Sequence, residues 1–152
     1  MKKAFAVLGL IAVAFLVYRY RSTHGPEALY RQFAEEILHR RYDAAAAMSY
    51  GLSAADLEKL GSQERIGAGP AMFQTLFPSR FTIESSESGP DGARTLHATQ
   101  TVLFNPVGVE SALRPAMFAT LKQVVTLQKR PGGWRVTAFS NQFEKMDSVG
   151  GR

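Results

Sequence analysis

The spacing of the apolar residues changes once along this chain of 152 residues, and that change does most to limit its fold. From Pro26 to Leu60 apolar residues recur every three or four positions, which is typical of helices with one buried face. From Arg80 to Phe143 they alternate with polar residues, which is typical of strands with one buried face. Helices followed by strands in hairpin order predict an α+β fold, with the helices on one face of an antiparallel sheet.

Short sequence signals predict where each helix begins. Pro26 follows a glycine and stands at a first helical position, where proline is tolerated. Asp43 is predicted to cap a second helix over residues 44–49, and Ser53–Asp56 has the pattern of a capping box that opens a third. A Gly-Pro pair predicts a fourth, short helix over residues 71–77.

The alternating half of the chain predicts four strands, over residues 80–84, 95–104, 118–129 and 134–143. Turns rich in glycine and proline separate them. In the second strand His97 falls on the polar face, which is predicted to point outward; a reversed register would turn it inward. In the last strand Trp134, Val136 and Ala138 are predicted to share one face.

The first 21 residues form an apolar segment with basic flanks, which predicts a signal-anchor helix. Ala4–Tyr18 carries no charge, and its basic and aromatic flanks extend the predicted membrane contact over residues 4–20. The predicted organisation is an anchor at 1–21, a linker at 22–25, an α+β domain at 26–143 and a flexible tail at 144–152.

Cleavage and sidedness of this segment leave alternatives open. Ala12–Ala14 matches the small-residue pattern of a cleavage site, and cleavage there would release a secreted domain. Basic residues on the two flanks nearly balance, so the positive-inside rule does not fix the orientation. We expect the domain on the periplasmic side of a bacterial inner membrane, because a basic start followed at once by an apolar run is typical of export signals. The cytoplasmic side is the alternative.

The charge of the chain belongs largely to this first segment. The net charge is +5, but four of the 18 Lys and Arg residues lie within 1–21, which leaves 14 basic residues against 13 acidic ones. Nucleic-acid binders carry their basic excess on the folded domain, so no nucleic-acid partner is expected. The absence of cysteine excludes disulfides, thiolate metal sites and cysteine nucleophiles.

Three parts of the sequence resemble the nuclear transport factor 2-like superfamily, which includes polyketide cyclases and ketosteroid isomerases. They are Ala28, Phe33 and Ala34 with Tyr42–Ala45; the predicted short helix with Met72, Phe73 and Phe77; and the hairpin formed by 124–129 and 132–136. The resemblance implies a cone-shaped α+β roll, in which a bent sheet wraps the long helix and leaves a pocket at its wide end. The predicted pocket residues are Phe33, Ile37, Phe73, Phe77, Phe104 and Trp134.

Enzymes of this superfamily place an acid or base inside the cone, so the resemblance also implies an alternative. His97 would be the base, with Tyr30 or Tyr42 as proton donor, in a small isomerase, dehydratase or cyclase. No spacing of histidines and carboxylates suggests a metal site, and we expect neither a metal nor a cofactor.

The absence of a polar cluster and the predicted tether favour a binding function over catalysis. Membrane-tethered members of the superfamily resemble the periplasmic domains of secretion-system scaffold proteins, which act through protein contacts. We therefore predict a membrane-tethered, non-catalytic binding or scaffold module. Its pocket or outer sheet face would contact a partner protein, a second copy or a small apolar ligand.

Overall fold

The computed structural model describes residues 25–63, 73–75, 78–106 and 115–149. Its helices are α1 Pro26–Leu38, α2 Tyr42–Ala47 and α3 Ala54–Gln63. Its strands are β1 Phe73–Thr75, β2 Arg80–Ser88, β3 Arg94–Pro106, β4 Met117–Arg130 and β5 Gly133–Ser148. The predicted class is confirmed: the described chain is α+β, with helices packed on an antiparallel sheet.

The long helix α1 begins and ends on local signals. Gly25 is the extended N-cap, and Pro26 occupies the first turn, where its missing N–H costs no hydrogen bond. The helix ends because Arg40 takes a left-handed conformation, with φ of 57°, and its N–H donates to the carbonyl of Ile37 at 3.0 Å. One stripe of the helix is buried: Tyr30, Phe33, Ala34, Ile37 and Leu38.

The third helix opens with the predicted capping box, in which Asp replaces the usual Glu or Gln. The backbone N–H of Asp56 donates to Ser53 Oγ at 3.2 Å, and the backbone N–H of Ser53 donates to Asp56 Oδ2 at 3.0 Å. The second helix corrects a prediction: Asp43 lies inside its first turn, and the N-cap is Arg41, which makes no side-chain cap. Asp43 still suits that position, because a carboxylate is favourable near the positive end of a helix.

Replacing Ser53 with alanine is expected to raise the pKa of the Asp56 carboxyl toward its ordinary value of 3.8. The Ser53 hydroxyl, at 2.6 Å from Asp56 Oδ2, is the main cause that holds this pKa low. Since the folded pKa is depressed, the stabilisation is present above pH 3.8 and is lost as the pH falls through the folded pKa. Carboxyl titration by NMR measures the change, and Ser49→Ala is the matched control, because the Ser49 hydroxyl bonds Ala45 instead. An unmoved Asp56 pKa in Ser53→Ala would contradict the capping box.

The sheet is antiparallel throughout. Strands β2, β3, β4 and β5 follow one another as a meander, and β1 pairs with the end of β3 beyond β2, with Phe73 opposite Pro106. A tight turn at Pro90–Gly92 joins β2 to β3, and Asp91 adopts φ of 55° in it. Strand β5 is therefore an edge of the sheet. In the described part of the chain only Ser49 pairs with its outer side, through a bridge to Val136.

Two β-bulges interrupt β5. Leu127 faces Val136 and Thr126 faces Ala138, so Thr137 is an extra residue. Leu121 faces Phe143 and Thr120 faces Lys145, so Glu144 is a second one. Because of the first bulge, Ala138 does not share a face with Val136, so that prediction is wrong. Ala138 is exposed, and Phe139 takes the buried position instead.

Two predicted elements, one before the meander and one at its end, differ from the observed structure. The helix predicted over 71–77 is wrong at Phe73–Thr75, which form strand β1, because tertiary pairing with β3 outweighs the local proline signal. Strand β5 continues to Ser148, five residues past the predicted strand end at Phe143. The long β5 follows from pairing with β4, since Met117 at the start of β4 faces Ser148.

Candidate functional site

The buried face of the sheet carries two apolar clusters. The larger cluster joins α1 to the start of β3, the end of β4 and the start of β5. It contains Tyr30, Phe33, Ala34, Ile37, Ala45, Leu57, Leu96, Ala98, Val125, Leu127, Val136 and Phe139. The smaller cluster lies at the end of β3 and the start of β4. It contains Leu38, Val102, Phe104, Ala119 and Leu121, with Met117 against it. We call this helix-covered side of the sheet the inner face. Gln100, Gln123 and Asn141 occupy the inward positions between the clusters along β3, β4 and β5.

These three amides form a hydrogen-bonded polar row across the interior. Gln123 Nε2 donates to Gln100 Oε1 at 2.7 Å and to Asn141 Oδ1 at 3.0 Å. Gln100 and Gln123 are 1% and 2% exposed, so water does not replace these partners. The row lies in the strand alternation at positions where the sequence otherwise places Leu, Val or Ala. That parity was the signal that could have identified Gln100 and Gln123 from the sequence.

Tyr30 joins the row from α1. Its hydroxyl donates to Gln123 Oε1 at 2.5 Å, and its ring packs edge-on against Phe81. Burial raises the pKa of Tyr30 well above its ordinary value, and the nearby Arg31 only partly opposes that shift. Tyr30 is thus a neutral donor whose proton is committed to an amide oxygen, which suits a structural role better than proton transfer.

At the Gln100 end, the row reaches the surface through Ser79. Gln100 Nε2 donates to Ser79 Oγ at 2.9 Å, and the Ser79 backbone N–H donates to Glu35 Oε1 at 2.6 Å. Glu35 Oε2 lies 3.4 Å from His39 Nε2 at the end of α1. Of the described residues, Glu35 contributes a carboxylate and His39 an imidazole to this end. Over the described residues no three His, Asp or Glu side chains converge to hold a metal.

His97 lies on the outer face, as the alternation predicted. Its side chain is 42% exposed, and its Nε2 is 3.8 Å from Glu87 Oε1. Tyr30 is on the opposite, inner face, and Tyr42 packs partly buried against the larger cluster. The structure therefore does not bring His97 together with either tyrosine. A mechanism with His97 as base and Tyr30 or Tyr42 as donor has no support from this geometry.

Among the predicted pocket residues whose side chains the structure describes, three lie in or on the larger cluster and one lies in the smaller cluster. Phe33 is fully buried and packs edge-on against Phe139 with 5.0 Å between ring centroids, and Ile37 is buried in the same cluster. Trp134 packs partly buried on that cluster, whereas Phe104 is buried in the smaller one. The side chain of Phe73 and all of Phe77 lie outside the described residues.

Within residues 25–63, 73–75, 78–106 and 115–149, no strand pairs with the outer edge of the second half of β5. Val136 directs its backbone away from β4, since its N–H donates to Met48 at 3.0 Å and its C=O accepts from Tyr50 at 2.8 Å. At the other end, the Val149 N–H points toward β4 and donates to Ala116 at 2.7 Å. Successive residues of a strand direct their backbone groups to opposite sides. Counting from Val136 or from Val149, with one extra residue at each bulge, assigns the same directions along β5. The residues that direct their backbone groups to the free edge are Phe139, Asn141, Phe143, Met146 and Ser148.

The same residues direct their side chains to the inner face. Phe143 faces Leu121 and Met146 faces Ala119, and both of those β4 residues are buried. Yet Phe143 is 42% exposed and Met146 is 44% exposed. We call residues 141–148, with this edge and these side chains, the β5 surface. The sequence interpretation missed it, because the predicted tail began at residue 144.

The outer face near the β5 surface is polar and charged. Lys122 Nζ lies 3.3 Å from Glu144 Oε1, and Lys145 Nζ lies 2.8 Å from Asp147 Oδ2. All four side chains are well exposed, so these ion pairs contribute little to folding stability. They do set an ordered pattern of charge along the free edge.

A search of protein families and of curated proteins finds no match to this chain. The likeness to the nuclear transport factor 2-like superfamily therefore stays a prediction. None of the helices within the described ranges is both long and apolar enough to cross a membrane. The predicted anchor at 1–21 lies outside those ranges.

Proposed function

We propose that this chain is a membrane-tethered, non-catalytic module that binds a protein through the β5 surface. One observation carries the proposal: in β5 an open backbone edge and two exposed apolar side chains coincide. Backbone N–H and C=O groups on an edge strand accept an additional strand, and the alternate side chains give the contact its specificity. Phe143 and Met146 are those alternate side chains.

Chemistry in the interior is the weaker candidate for the function. The polar row is uncharged, and Gln123 uses both of its amide groups on protein partners. Phe33 and Ile37 are buried in the larger cluster, and Phe104 is buried in the smaller one. These observations favour a contact at the surface over an apolar ligand or a substrate inside the domain.

The tether and the roll are further parts of the proposal. Residues 4–20 would hold the module to a bacterial inner membrane, with the domain in the periplasm. Three helices on an antiparallel sheet are compatible with the cone-shaped roll and with other α+β folds. A tethered module needs only a modest contact area, because confinement to a membrane raises the effective concentration of its partner.

The test combines cell fractionation with site-specific photo-crosslinking of the full chain. We expect the intact, full-length mass in the membrane fraction. A photoreactive residue in place of Met146 is expected to give discrete protein adducts. The same residue in place of Thr82, exposed on β2 at the opposite side of the sheet, is expected to give none. A soluble product that begins near Phe15 would contradict the tether, and equal adducts from both positions would contradict the β5 surface.

A further inference from the structure

We propose that the partner of the β5 surface is a second copy of this chain. The two β5 edges would pair antiparallel about a two-fold axis that passes between Glu144 and Lys145. The inference rests on the proposed function for its surface and adds the identity of the occupant and the register. It is carried by three features of β5: the backbone direction, the facing of the side chains and the order of the charges.

The backbone groups of β5 fit this register. In an antiparallel pair, residues whose N–H and C=O point at the partner must stand opposite each other. The proposed axis sets Phe143 opposite Met146 of the second copy, and Asn141 opposite Ser148 of the second copy. All four residues direct their backbone groups to the free edge. Each facing pair can therefore exchange two N–H···O=C hydrogen bonds.

The side chains fit the same register. Residues that face each other across strands lie on the same side of the sheet. Phe143 and Met146 both lie on the inner face, so each exposed apolar side chain gains an apolar neighbour from the second copy. The bulge at Glu144 lies at the axis. Both copies thus carry their extra residue at the same place, and the register is retained on either side of it.

The charges complete the match. The axis sets Glu144 opposite Lys145 of the second copy, and symmetry repeats the pair. A shift by one residue in one direction sets Glu144 against its own copy, and a shift in the other direction sets Lys145 against its own copy. Like charges directly opposite are unfavourable, so both adjacent registers are penalised. Charged residues on an edge usually discourage pairing with other strands; here their order leaves one self-complementary register.

Disulfide trapping tests the register, since the chain has no cysteine of its own. The full chain is purified in detergent as Phe143→Cys and, with a different tag, as Met146→Cys. We expect a disulfide-linked heterodimer when the two variants are mixed. Each variant alone is expected to stay unlinked, because the proposed register separates like positions by three residues, about 10 Å along the strands. A linked homodimer of Phe143→Cys alone would overturn the antiparallel register.

Charge exchange tests the same register without altering the apolar side chains. Sedimentation of the wild-type full chain in detergent is expected to show a monomer–dimer equilibrium. Lys145→Glu is expected to weaken the dimer about ten-fold, because it sets acidic groups opposite each other at two places. The double variant Glu144→Lys/Lys145→Glu restores opposite charges and is expected to return the dissociation constant to within about three-fold of wild type. Thermal unfolding of each variant shows whether the fold is retained.

The outcomes separate this inference from the proposed function. A monomer at every concentration, together with adducts of another protein at position 146, overturns the second copy and leaves the binding module intact. A dimer with no heterodimer trapping and no response to the charge variants overturns the β5 interface. Trapping in the mixture, together with the loss and recovery of affinity, supports the proposal.

Discussion

Replacing Phe33 with alanine is expected to lower the free energy of unfolding by about 3–5 kcal/mol. Phe33 is fully buried in the larger cluster, and its ring meets that of Phe139 edge-on at an interplanar angle of 75°. The substitution removes that aromatic contact and leaves a cavity between α1 and β5, where secondary structure on both sides limits collapse. Urea unfolding of the full chain in one detergent measures the loss.

Phe118→Ala is the matched control for this substitution. Phe118 is 39% exposed on the outer face of β4, so the same change of side chain leaves no internal cavity. We expect the control to cost less than about 1 kcal/mol. A loss of similar size in the two variants would contradict the position of α1 on the sheet.

Replacing Gln123 with leucine is expected to lower the free energy of unfolding by about 2–5 kcal/mol, although leucine is the more apolar residue. The change removes the acceptor of the Tyr30 hydroxyl and the donor to Gln100 Oε1. Both groups are shielded from water, so neither finds a new partner. Thermal and urea unfolding measure the effect.

A double-mutant cycle isolates the Tyr30–Gln123 contact. Tyr30→Phe removes the hydroxyl that Gln123→Leu leaves without an acceptor. The loss of unfolding free energy in the double variant is therefore expected to be smaller than the sum of the two single losses. Gln128→Leu, at a partly buried position on the same strand, is the control and is expected to change stability by about 0.5 kcal/mol or less. Strict additivity would show that the two side chains do not interact.

The fold class was predictable because it depends on averaged features of the sequence. One buried stripe on α1 and alternation in β3 and β4 survive small local errors, and both are present in the structure. The capping box at Ser53 was equally predictable, since both partners lie within one helical turn.

The candidate site depends on features that local patterns do not contain. Strand β1 forms through pairing with β3, so the residues around Phe73 give little sign of it. The exposure of Phe143 and Met146 depends on what the helices leave uncovered, and an apolar side chain in a strand predicts burial by default. Gln100 and Gln123 could have been identified from the sequence, because they fall at inward positions of the alternation in β3 and β4. Their partner Tyr30 could not, because it lies in a helix 93 residues away from Gln123.

The two extra residues of β5 matter for any comparison of this sequence with others. In–out alternation restarts twice along the strand: inward residues have even numbers up to Val136, odd numbers from Phe139 to Phe143, and even numbers again from Met146. An alignment to a chain whose last strand has no bulges would therefore need single-residue gaps at Thr137 and Glu144. Without those gaps, Phe139 and Phe143 would be matched to residues on the opposite face of the sheet, and the similarity of this strand would be lost.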